Sequence, residues 1–333
     1  MRVLVATSDG VWLARPGQAP EQLGLAGTSC RSVAAIEGVY YAGTARDGLW
    51  RSLDEGRTWG SAGLEGQEIL TIAAPAGTSD VHVAGRPVEV YRSEAGKGVW
   101  EGLNLMSAPN SDTWLLPIRG GTRVLAVSFD AADPLLMYTA VEVGGAIVSD
   151  DGGATWRTEV PGGDHDVHRV VAHPAKPEHV FCSTGFTRLG GDEGYYLIEK
   201  GGVYRSADRG RTWEWMWSEE WPPYTLSLVM DPWPPHPLFV VAAPEPFASI
   251  RQDQGARTEI RMSIDEGKTW TSIGDADHSP SPAFFTGIAV DPERPGGLIA
   301  CTENGEVWRI DAASRRWEPL ATGLGYAQGV APV

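Results

Sequence analysis

The stretch Asp164-His165-Asp166-Val167-His168 is the densest set of titratable side chains in the chain, and Glu142 stands in the preceding loop of the same face. Two imidazoles three residues apart with carboxylates beside them suit a divalent cation, through ring nitrogen and carboxylate oxygen. The same groups suit general acid and base work. Glu142, His165, Asp166 and His168 are therefore candidate catalytic residues, and Glu142, His165 and His168 candidate ligands of a divalent metal ion. The plainer alternative is that polar residues just before a strand satisfy backbone donors or sit in water. His173, at the far end of the same strand, reads as structural.

A second group is Glu219, Glu220, Trp221 and Tyr224, close to Trp213, Trp215 and Trp217. Paired carboxylates beside flat aromatic faces are what glycoside hydrolysis asks for; a solvated loop flanked by core tryptophans is the alternative. A third group is Arg46, Arg86, Arg188 and Arg251, with Tyr195 and Tyr196. Clustered guanidiniums clamp carboxylate or phosphate bidentately. Arg46, Arg188, Tyr195, Tyr196, Glu220, Trp221, Tyr224 and Arg251 are thus the candidate ligand-binding residues. The chain carries no nucleophile elbow, phosphate loop, dinucleotide fingerprint or HExxH.

What positions these residues is a repeat. The octet Ser-x-Asp-x-Gly-x-Thr-Trp occurs four times, from Ser52, Ser149, Ser206 and Ser263 to Trp59, Trp156, Trp213 and Trp270. Degenerate copies end in Trp100 and Trp317. Two short β-type runs precede each octet. Upstream of each pair lies a further apolar strand: residues 32–36, 69–75, 124–129, 169–174, 226–232 and 286–292. The unit therefore has four strands. Residues 1–25 supply the second to fourth strands of a unit with no first, and residues 327–333 supply a first strand with nothing after it. Joining them makes a seventh unit and removes exposed sheet edges. The expected fold is all-β, a seven-bladed β-propeller of four-stranded antiparallel blades over residues 1–333, its first blade shared between 1–25 and 327–333.

Composition agrees. Forty-one Gly, 24 Pro and 14 Trp in 333 residues suit short strands, tight turns and aromatic packing. No apolar run approaches the ~20 residues of a membrane helix, and the N-terminal residues hold no signal-peptide pattern, so the expected location is cytoplasmic. A net charge of −16 repels phosphate backbones and anionic membranes. Expected partners are a small-molecule ligand or a protein, with no nucleic acid and no membrane. Cys30, Cys182 and Cys301 form neither a disulfide framework nor a metal knuckle.

The octet resembles the Asp box, or BNR repeat, of sialidases, xyloglucanases, sortilin-type receptors and photosystem II assembly propellers. The chain is also similar to exo-sialidase-like or glycosyl-hydrolase-like prokaryotic Asp-box propellers, through Val141 to Gly145 and Asp164 to Pro174. The resemblance implies that the octets turn between third and fourth strands on the face opposite the functional one, so Asp54, Asp151, Asp208 and Asp265 are structural. The functional face then carries the long loops 186–201 and 244–259, which converge on the central channel. The grouping of Arg46, Arg188 and Arg251 resembles the three-arginine clamp of sialidases, but their Arg-Ile-Pro motif is absent and catalytic sialidases have six blades. Two readings stand open. One is a propeller that binds a ligand or protein at the channel mouth. The other is a hydrolase or lyase on a sugar-like or small anionic substrate, dependent on a metal if Glu142, His165 and His168 converge.

Overall fold

The computed structural model describes residues 1–114, 121–185, 200–246 and 255–333, and the backbone of 187–189 and 195–197. Seven four-stranded antiparallel sheets form a ring. The inner strand of blade one is Ala327–Pro332, paired with Val3–Thr7; Gly10–Ala14 and Glu21–Gly24 follow outward. The inner strands of blades two to seven are Cys30–Ile36, Glu68–Ala73, Val124–Phe129, Val167–His173, Tyr224–Met230 and Phe285–Val290. Each touches the next, and Phe285–Val290 touches Ala327–Pro332, which closes the circle around a channel. The two chain segments that the sequence left incomplete thus build one blade between them.

The core is divided into seams. Along Val3–Thr7, Val3 and Val5 pack against Ile299 and Cys301 of blade seven, while Leu4 and Ala6 pack against Tyr40 and Ala42 of blade two. A strand that buries both faces reads as a continuous apolar run, as in Met137–Val141, Leu238–Ala243 and Gly297–Thr302, every residue of which is buried. The fourth strands are more exposed and show weaker sequence signals.

Each full octet builds the same turn. Ser206 Oγ donates to Asp208 Oδ1 at 2.7 Å and accepts from the Gly210 amide, while Asp208 Oδ1 and Oδ2 take the Thr212 amide and hydroxyl at 2.8 and 2.7 Å. The octets at Ser52, Ser149 and Ser263 repeat these bonds. Burial is the largest single influence on the Asp208 carboxyl and pushes it up, but the bonds from Thr212, Ser206 and Arg211 together outweigh it and hold it down at about 2. The fourth position of the octet is left-handed as well as the Gly that follows: Glu55, Arg209 and Glu266 have φ near 60°, and Gly152 occupies the equivalent place without a Cβ. The closing tryptophans join blades. Trp100, Trp156, Trp270 and Trp317 donate from Nε1 to the carbonyls of Ala62, Leu103, Met216 and Ile273 in the preceding blade, whereas Trp213 Nε1 is buried without a partner.

Candidate functional site at the channel mouth

Every inner strand slips register close to its first residue, and that of blade five slips again at its far end, between Ala172 and His173. The extra residue is Gln328, Arg31, Leu70, Leu125, His168 or Thr286 in blades one to five and seven, and falls at Leu226 or Ser227 in blade six. A β-bulge re-aims the side chain it carries and is common beside functional sites. Here seven bulges stand at one level around one end of the channel. Sequence alternation breaks at each of them; in blades two, three, five, six and seven the strands begin one or two residues before the stretches read from sequence, while in blades one and four the starts agree.

Polar residues at this level are linked from blade to blade. Arg31 Nη1 donates to Gln328 Oε1 at 2.5 Å, and Arg31 Nε lies 3.1 Å from Glu68 Oε1. Arg86 Nη1 lies 3.4 Å from Glu68 Oε2, and its Nη2 donates to the Gly121 carbonyl at 3.0 Å. Arg123 clasps Glu142 through Nε at 2.5 Å and Nη2 at 3.1 Å. In blade five, His168 Nδ1 meets the Thr225 carbonyl at 2.7 Å, its Nε2 lies 3.3 Å from Asp166 Oδ1, and the Tyr224 ring stands edge-on at 4.9 Å. Burial opposes the imidazolium, but the Asp166 carboxylate and the Thr225 carbonyl outweigh it, so His168 titrates above its ordinary value.

These contacts are unsaturated. Arg31 Nε, Glu68 Oε2, Arg86 Nε and Asp166 Oδ1 are buried and make no hydrogen bond to the described residues; Arg31 Nε, Glu68 Oε2 and Asp166 Oδ1 each have an ion-pair partner close by that is not aligned as a hydrogen bond. A buried polar atom left unmatched costs roughly 1–3 kcal/mol, and four at one mouth are a large share for one locality. Gly185 makes room for the blade-five group: a Cβ there would lie 2.1 Å from Asp166 Oδ2 and 2.8 Å from His168 Cε1.

The candidates singled out from sequence fall into three sets. Glu142, Asp166, His168 and Tyr224 reach the mouth; half-buried His165 stands between the buried Asp164 and Asp166. Among the described residues, however, no three His, Cys, Asp or Glu side chains are arranged to hold a metal ion. Glu142 is turned to Arg123 and His168 to Thr225 and Asp166, which replaces the expected ligand set by two separate pairs. Glu219, Glu220 and Arg46 are exposed, and Trp221 is packed edge-on against Trp217 at 5.0 Å beneath the Arg261 guanidinium at 4.7 Å. That is the core-tryptophan alternative. The side chains of Arg188, Tyr195 and Tyr196, and Arg251 altogether, lie outside the described residues; the backbone of 187–189 pairs with 195–197 as a small ribbon. His173 accepts the Ala175 amide and meets the His236 ring edge-on at 4.9 Å. Sequence reading missed Arg31, Glu68, Arg123 and Gln328, each of which sits where an apolar first strand starts.

No family model and no curated protein sequence matches the chain. Its fold is similar to that of a GH74 xyloglucanase from Xanthomonas campestris, with TM-score 0.68 and 19% identity over 99% of this chain and 52% of that one. A GH74 enzyme from Niastella koreensis gives 0.60 and 13% over 96% and 46%. YCF48 from Cyanidioschyzon merolae gives 0.56 and 12% over 90% and 87%. The chain spans about half the length of the two GH74 proteins. At these identities the likeness establishes the seven-bladed propeller architecture.

Proposed function

We propose that this propeller binds a small polar ligand at the bulge-lined mouth of its channel. The observation that carries the reading is the convergence of Arg31 Nε, Glu68 Oε2, Arg86 Nε and Asp166 Oδ1, buried and unmatched, from three blades. A ligand with hydroxyl or other donor and acceptor groups would complete them. The octets are read as Asp boxes, structural turns away from this mouth. A net charge of −16 favours a ligand or protein partner over nucleic acid, and three free buried cysteines fit a reducing compartment such as the cytoplasm.

The second reading, a hydrolase on a sugar-like substrate, is supported by the fold shared with GH74 enzymes and by the Asp166 oxygen left beside His168. Against it, Glu142 has both oxygens committed to Arg123. Titration with xyloglucan-derived and other neutral oligosaccharides, followed by calorimetry and by reducing-end release, separates the two. Saturable binding without release, weakened at least tenfold by Glu68→Gln, is expected. Release abolished by Asp166→Asn would establish the hydrolase. Absence of binding or release across neutral and charged small ligands would refute both.

A further inference from the structure

One position past each bulge, the inner strand re-pairs with its neighbour. The residue there is small in five blades: Gly329, Ser32, Thr71, Ala126 and Gly287. In blade five it is Arg169, paired with Ser183. Arg169 Nη1 donates to two carbonyls, Leu125 of blade four and its own neighbour His168, both at 2.9 Å. That leaves the Nε and Nη2 edge. Neither atom bonds to a described residue, and no carboxylate of the described residues pairs with the guanidinium, which is half-buried.

The same edge of Arg123 shows what it suits, since there it grips the Glu142 carboxylate with two bonds. Burial without a carboxylate pulls Arg169 down to about 10, whereas Arg123, beside Glu142, is pushed the other way against its own burial. An uncompensated, partly desolvated cation opposes folding unless something offsets it. In a chain this acidic, carboxylates were available to pair it.

We propose that the Nε/Nη2 edge of Arg169 receives a small oxyanion, a carboxylate or a phosphate, inside the channel one position below the mouth. The anion is either free in solution or the acidic group of a ligand whose polar part rests at the bulge level. The site does not depend on the mouth reading.

The test is calorimetric titration of the full chain with inorganic phosphate and, separately, acetate, in sodium chloride at fixed ionic strength. Saturable binding that falls about tenfold or more in Arg169→Met, with an intermediate loss in Arg169→Lys, supports the site, because lysine keeps the charge without the fork. Phosphate binding alone points to a free inorganic anion; acetate binding as well points to a ligand carboxylate. A wild-type chain that binds neither, or binding that survives Arg169→Met, overturns the proposal. So does binding lost in Arg123→Met and kept in Arg169→Met, which would place the anion at the mouth and leave the mouth reading standing. Unfolding in phosphate-free buffer gives a second readout: Arg169→Met should unfold no earlier than wild type, and a clear loss would make the guanidinium a brace.

Discussion

His82 offers the sharpest quantitative test of the structure. It lies on the second strand of blade three, 4% exposed, with its ring 4.8 Å from Phe129 and its Nδ1 buried without a hydrogen bond. Burial, helped by Arg92, pulls its pKa from 6.5 down to about 4. Such a histidine stabilises the fold only while neutral. Its contribution is full above pH 6.5, shrinks as the unfolded chain takes up the proton, and is lost once the pH falls through the folded value near 4. At 1.36 kcal/mol per unit the full difference is about 3 kcal/mol, and about 2 kcal/mol of it is gone by pH 5. Replacing His82 with Leu removes the titration and keeps an apolar side chain against Phe129. Urea unfolding of both proteins at pH 7.5, 6 and 5 should show stabilities that diverge toward acid, the native chain losing about 2 kcal/mol more than His82→Leu by pH 5. Parallel profiles would refute the assignment. A ring-proton titration of His82 near 6.5 in the folded chain would refute it equally.

Four further outcomes follow from the geometry. His168 acts with the opposite sign: its folded pKa is raised, so its contribution is full below the unfolded value and is lost as pH rises through the folded one; His168→Asn should flatten that alkaline decline in thermal midpoints. Gly185→Ala forces a methyl into Asp166 and His168 and should cost roughly 1–3 kcal/mol while abolishing ligand binding at the mouth, read by calorimetry. Glu142→Gln leaves Arg123 without its carboxylate and should cost about 1–3 kcal/mol in urea unfolding, since removing one partner of a half-buried pair leaves the other uncompensated. Trp156→Phe breaks the bond to the Leu103 carbonyl and should cost about 1–3 kcal/mol beyond the same change at Trp213, whose Nε1 has no bond to lose.

The architecture was legible because it is written in repeats. Octets with a turn-forming Asp and Gly and a closing Trp fix where third strands end, and apolar runs between them fix the two buried strands. The closure of blade one followed from counting strands. The site was legible only in part. Glu142, Asp166, His168 and Tyr224 stood out as titratable or aromatic residues at loop-to-strand junctions. Arg31, Glu68, Arg123 and Gln328 did not, because their significance lies in contacts between blades that are distant in sequence, such as Arg31 to Gln328. A bulge has no residue signature of its own; it appears when two strands are laid side by side. Arg169 was hidden in the same way, as an ordinary arginine heading an apolar strand until its counterparts in five of the other six blades proved small, the sixth being Leu228. The expected metal set is not assembled among the described residues, for a related reason. Spacing along the chain brought His165 and His168 together, but bonds to Arg123 and Thr225 set the directions of Glu142 and His168.

The pairing of Val3–Thr7 with Ala327–Pro332 also sets an order of events in time. Six of the blades are assembled from strands that follow one another along the chain, so each can form as soon as its own stretch is available. Blade one cannot. Its outer three strands must wait, with the edge of Val3–Thr7 unpaired, for a segment more than 300 residues away, and loop closure over such a distance is slow relative to local hairpin formation. During that interval the seams that Val3–Thr7 shares with blades two and seven lack a fixed partner, and an unpaired edge flanked by apolar surface is the species most open to association with another chain. Refolding should therefore show a late, first-order step that seals the ring, and dilution of the protein should raise its yield.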